Sequence, residues 1–134
     1  MRLVTYLGPS GAPRLGVLHK GQVVDPQATL AVAAQRSGAS IREAEVPNEM
    51  VAFFKGGARA RGAAEQAIEA VDTWARRGDA FGPIGGVMAA QPVADVRLLA
   101  PVPRPRRVRD YLTFGGHATG IGFTLPVRPY MPLR

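Results

Sequence analysis

Cysteine is absent from this 134-residue chain. That absence excludes a disulfide framework, a thiol nucleophile and any zinc site built on thiolates, and it suits a reducing cytoplasm. Lysine is scarce as well: Lys20 and Lys55 stand alone, so arginine carries almost all of the net charge of +7. Long apolar runs are missing. Nowhere do about 18 apolar residues follow one another, and the start Met1-Arg2-Leu3-Val4-Thr5-Tyr6 reaches Gly8-Pro9 before an apolar stretch of secretory length develops. Neither an export signal nor a transmembrane helix is expected. Carboxylates also run out early, because no Asp or Glu follows Asp110.

What is present fits one small soluble domain. With 46% hydrophobic and 20% charged residues the chain is too apolar to be wholly disordered and too short for a large enzyme. The basic balance would serve nucleic acid or another polyanion. Arg, Ala, Gly and Pro are also the residues a GC-rich genome over-supplies, and this composition bias is the weightier source of the charge.

Residues 2–7, 14–19 and 22–25 are short apolar and β-branched stretches broken by Gly8-Pro9-Ser10-Gly11 and Lys20-Gly21. They read as a three-strand antiparallel meander. Asp25-Pro26 offers an N-cap followed by proline at the first helical position, which predicts a brief helix over 27–36. Ser40-Ile41-Arg42-Glu43 has capping-box spacing, but Pro47 follows too soon for a long helix. Met50, Val51, Phe53 and Phe54 before Gly56-Gly57 predict a two-turn helix that buries both phenylalanines. Over 59–77 Ala60, Ala64, Ala67, Ile68, Val71 and Trp74 recur at three- and four-residue spacing while Arg59, Arg61, Glu65, Glu69 and Arg76 take other faces, the pattern of an amphipathic helix that Gly78 closes. The Gly- and Pro-rich stretch 79–94 reads as a connector, and Val96-Arg97-Leu98-Leu99 as a last strand. The expected fold class is α+β: a module over residues 1–100 with two to three helices on one face of the sheet, then an extended Pro/Arg-rich tail over 101–134.

In that tail, Pro101-Val102-Pro103-Arg104-Pro105-Arg106-Arg107 favours a polyproline-like path. Beyond it stand Asp110 and, seven residues on, His117. A neutral imidazole suits general-base work near neutral pH, and a nearby carboxylate can hold a divalent cation that polarises a substrate oxygen. An exposed loop histidine is the plainer reading of that spacing by itself. His19, at a strand end beside Lys20-Gly21, reads as a solvated turn histidine. Glu43-Ala44-Glu45 reads as solvated charge, and glycines 115, 116, 120 and 122 lack the strand and helix of a dinucleotide fingerprint.

The start Met1-Arg2-Leu3-Val4-Thr5-Tyr6, the stretches Arg14-Leu15-Gly16-Val17-Leu18 and Val23-Val24-Asp25, the run Val96-Arg97-Leu98-Leu99-Ala100-Pro101-Val102-Pro103-Arg104-Pro105, and Arg109-Asp110-Tyr111 leading to His117-Ala118-Thr119 resemble, in the same order, the N-terminal portion of fumarylacetoacetate hydrolase-family proteins. The likeness extends to about residue 122. It implies a metal-dependent hydrolase of C–C bonds in acylpyruvate-type dicarbonyl compounds, in aromatic-compound catabolism. The family has a small N-terminal domain before a larger β-rich catalytic domain that binds Mg²⁺ or Ca²⁺, and its members are often homodimers. Carried over, Asp110 would be a metal ligand and His117 the base that activates water.

The chain departs from the pattern where Leu112 replaces a substrate-contacting tyrosine and Pro126 replaces an arginine. The downstream Glu-x-Glu pair and further aspartate have no counterpart after His117. One carboxylate holds neither Mg²⁺ nor Ca²⁺ well, so the chain alone is expected to be inactive: a truncated or frameshifted remnant, half of a split enzyme whose partner is a separately encoded catalytic domain, or a domain kept for another purpose. The alternative reading is a non-enzymatic basic module whose Arg104, Arg106, Arg107 and Arg109 contact phosphates, with binding that falls steeply with salt. Only Tyr111 and Phe114 lie near enough to stack on single-stranded bases.

Ordering a Pro/Gly/Arg-rich tail with few apolar anchors costs about 1–2 kcal/mol per residue in backbone entropy. Limited trypsin digestion is therefore expected to cut first at Arg106, Arg107 or Arg109 and to leave a resistant N-terminal core, as read by mass spectrometry of the early fragments. Protection of those arginines would mean a docked tail.

Overall fold

A computed structural model of the chain describes residues 1–38, 46–79 and 82–105, together with Arg107, Gly120 and Gly122. Two units divide the chain, Met1–Arg104 and Pro105–Arg134. In the second, the described Pro105, Arg107, Gly120 and Gly122 are all exposed.

The first unit is an α+β fold. Five strands, β1 (Arg2–Leu7), β2 (Pro13–His19), β3 (Gln22–Val24), β4 (Ala90–Pro92) and β5 (Leu98–Leu99), form one antiparallel sheet in the order β4-β3-β2-β1-β5. Between β3 and β4 come the helices α1 (Pro26–Ser37) and α2 (Met50–Arg77). The meander, the proline-led helix and the final strand stand where the sequence pattern expects them. β4 does not: it lies inside the stretch read as a connector, and it completes the edge of the sheet beside β3, with Val23 opposite Gln91 and Val24 opposite Ala90.

Local chemistry sets these elements. Lys20 and Gly21 both have positive φ, 47° and 76°, as a two-residue hairpin between antiparallel strands demands, and they join His19 to its partner Gln22. Asp25 caps α1 by accepting the Ala28 N–H at 2.8 Å, and Pro26 occupies a first-turn position where a missing N–H costs nothing. Gly38 and Gly78 close the two helices in the left-handed conformation. At Gly57, φ 54° and ψ −134° interrupt α2, separating a short segment that starts at Met50 from the long one that runs to Arg77.

Register sorts the side chains onto two faces. Leu3 faces Val17, and Val17 faces Val24. This face meets the helices in two clusters: Leu15 and Val17 with Met50, Phe53, Ala60 and Ala64, and Val24 with Val32, Ala67, Val71 and Trp74. Small alanines at 60, 64 and 67 let α2 approach the sheet closely. On the opposite face a Cβ on Gly16 would stand 2.5 Å from Val23 Cγ1 and 3.3 Å from both Tyr6 Cδ1 and Val4 Cγ2, so only glycine fits beneath that packing.

The expected packing through both phenylalanines is corrected. Phe53 is 5% exposed but Phe54 is 66% exposed, because neighbours on a helix point about 100° apart and only one can face the sheet. Ile68 and Leu3 are partly buried against the Phe53 cluster rather than fully enclosed. Phe53→Ala is therefore expected to destabilise the fold by about 3–5 kcal/mol, whereas Phe54→Ala should cost less than about 1 kcal/mol. Urea unfolding of the two variants checks the contrast, and equal losses would refute it.

Candidate functional site

Asp110 and His117, the metal ligand and base implied by the resemblance, lie outside the described residues, as do Arg106, Arg109, Glu43 and Glu45. Of the proposed phosphate-contacting arginines, Arg104 at the end of the first unit and Arg107 in the second are exposed. Among the described residues no group of three His, Asp or Glu side chains stands close enough to hold a metal ion. The described chemistry sits in two polar clusters of the first unit.

The first cluster gathers on Asp25 at the end of β3. Asp25 Oδ2 accepts the Tyr6 hydroxyl at 2.7 Å and the Arg14 Nε–H at 2.7 Å, while Oδ1 takes the capping N–H of Ala28. Arg14 reaches further with an Nη2 donor to Gln27 Oε1 at 3.1 Å. Tyr6 and Asp25 are each about 1% exposed. Burial pushes the Tyr6 phenol above its ordinary value, and the Asp25 carboxylate beside it pushes further. A phenol held protonated is neither nucleophile nor base, and both carboxylate oxygens are committed. The arrangement therefore fixes structure; it is not set up to transfer a proton.

The second cluster ties the β2–β3 hairpin to α2. Lys20 Nζ donates to both oxygens of Asp72 at 2.9 Å, and His19 Nε2 meets Asp72 Oδ1 at 3.0 Å. The bond from Lys20, then that from His19, holds the Asp72 carboxyl below the usual carboxylate range. His19 is thus a half-buried, hydrogen-bonded residue rather than a solvated turn histidine. Its partner lies 53 residues away, which no local pattern displays. Both Asp72 oxygens are thus engaged by the hairpin.

Tyr6→Phe removes the hydroxyl that Asp25 accepts and is expected to cost about 1.5–3 kcal/mol near neutral pH. The sign with pH follows from the raised phenol. Its contribution is complete below the unfolded value near 10 and is lost as pH rises from there through the raised folded value. Urea unfolding of both proteins from pH 8 to 11 should show the difference shrinking upward. A difference that grows with pH would contradict the assigned bond.

Among the described residues, no helix is long and apolar enough to cross a membrane. Compared with protein families, with curated proteins and with solved structures, the chain matches none.

Proposed function

We propose that this chain is the N-terminal part of a fumarylacetoacetate hydrolase-family protein, a cytoplasmic enzyme that hydrolyses C–C bonds of acylpyruvate-type compounds. Residues 1–100 serve it as a non-catalytic module, and Asp110 and His117 are its share of the catalytic centre. What supports this reading is the convergence of the segments that carry the resemblance. Thr5 and Tyr6 pair with Leu15 and Arg14 on one side and with Leu99 and Leu98 on the other. Tyr6 and Arg14, from the first and second segments, both donate to the Asp25 carboxylate of the third. The fourth segment leaves the sheet at Leu99, 11 residues before Asp110.

A divalent cation, when bound in such a centre, polarises the substrate oxygen and acidifies its water ligand. Here Asp110 would offer one carboxylate, and His117 would take a proton from water. Mg²⁺ and Ca²⁺ need more oxygen ligands than that, and no Asp or Glu follows Asp110 in these residues. The donor set does not fit a resident cation by itself, so on this reading a separately supplied catalytic domain completes the shell, and hydrolysis depends on it.

The expectation for the isolated chain is weak, local metal binding without turnover. Millimolar Mn²⁺ should broaden the amide resonances around Asp110 and His117, Asp110→Asn should abolish that broadening, and acylpyruvates should remain intact. Micromolar affinity, or broadening centred on Glu65, Glu69 and Asp72 with none at Asp110, would overturn the assignment.

A further inference from the structure

The first unit also holds an open cavity that neither polar cluster enters. It has a volume of about 310 Å³ and is lined by Met1, Leu3, Phe53, Phe54, Gly57 and Arg61. Large hydrophobic side chains exposed in the described residues are Met1, Phe54 and Leu98, and the first two converge here, at 52% and 66% exposure. Phe53 and Phe54 meet edge to face, with ring centroids 6.2 Å apart and planes at 75°, so one ring forms the floor and the other a wall. Gly57 lines the same space without a side chain, at the point where its non-helical φ/ψ separates the Phe54 segment from the long part of α2.

Charge gives this cavity a direction. Between Glu49 and Glu65 the charged residues are Lys55, Arg59 and Arg61, all basic and all exposed. Arg61 is the charged residue among those that line the cavity. Its Nε donates to Glu65 Oε1 at 3.0 Å across one helical turn, while Nη1 and Nη2 stay uncommitted among the described residues. Glu65, Glu69 and Asp72 follow further along α2, so an anion is favoured at the Gly57–Arg61 end and repelled beyond it. Small-molecule sites have this composition: a few hundred Å³, apolar and aromatic walls, and one or two polar groups that set orientation.

We infer that the cavity binds a small carboxylic acid with an aromatic body, the ring lying on Phe53 and Phe54 and the carboxylate meeting the Arg61 guanidinium. Ring against ring supplies contact area with a preferred edge-to-face geometry. The guanidinium supplies charge-assisted hydrogen bonds that a neutral ligand of the same shape cannot fully match. The inference rests on this cavity alone and is independent of the roles proposed for Asp110 and His117.

Titration of the full chain with phenylbutyrate and with the isosteric phenylbutyramide, followed by amide resonances, tests it. Saturable shifts are expected at Leu3, Phe54, Gly57 and Arg61 in the millimolar range, with the acid binding about tenfold tighter than the amide. Arg61→Gln should remove the preference for the acid while leaving amide binding in place, and Phe54→Ser should weaken both. Both changes fall on exposed side chains, so the fold should survive them, as the unperturbed resonances of Val71 and Trp74 would report. Equal affinity for acid and amide, an acid preference that survives Arg61→Gln, or no saturable shift at these four residues would overturn the inference.

Discussion

A single buried carboxylate joins most of the first unit. Asp25 caps α1 through Oδ1, takes the Tyr6 hydroxyl and the Arg14 guanidinium through Oδ2, donates its own N–H to Ala89 O at 2.9 Å, and offers its carbonyl to the Thr29 hydroxyl at 2.7 Å. Through these bonds β1, β2, α1 and the approach to β4 all meet the end of β3. A charge this deeply buried is tolerated only because it is paired and its remaining lone pairs are filled. Removing it would leave the half-buried Arg14 guanidinium, the buried Tyr6 hydroxyl and a first-turn N–H of α1 without their acceptor, at about 1–3 kcal/mol for each buried group left unpaired.

That constraint explains how a thin sheet carries two packed faces. The helix-facing side is ordinary apolar packing of Leu15, Val17 and Val24 on α1 and α2. The other side has the phenol of Tyr6 extended over Gly16 toward Asp25, with Val23 crowding the same glycine. A hydroxyl that reaches a charged acceptor lets the tyrosine contribute its ring as apolar cover without an unpaired donor. No described buried side-chain polar atom lacks a partner.

Elements whose cause is local could be read from the sequence, and those whose cause is distant could not. Asp25-Pro26 announces a helix start within two residues, and the spacing of Ala60, Ala64, Ala67, Val71 and Trp74 announces the buried stripe of α2. Ala90-Gln91-Pro92 has no alternation and contains a proline, so its strand character comes only from register with β3. Hydrophobicity alone pairs Phe54 with Phe53, yet helical geometry buries one and exposes the other. The same divide runs through the sites. Asp110 and His117 stand out only as a spacing in a resemblance and lie outside the described residues, whereas Met1, Leu3, Phe53, Phe54, Gly57 and Arg61 form no motif and meet only in the folded unit.

The excess of positive charge takes on a different meaning once its partners are placed. Arg14, Lys20, Arg36 and Arg61 each face a carboxylate, at Asp25, Asp72, Asp79 and Glu65, and of these pairs only Arg14 with Asp25 is largely buried and so holds the fold. Lys55 and Arg59 form no ion pair among the described residues, and Lys55 directly follows exposed Phe54 in the chain. An isolated basic patch beside apolar surface is poorly matched to a duplex, which presents phosphates and needs many contacts spread along a groove. It is well matched to a ligand with one negative charge and one apolar body. For the first unit, then, the charge argues for selective binding of small anions at one end of α2, and the broad polyanion reading is left to the arginines that follow Pro103.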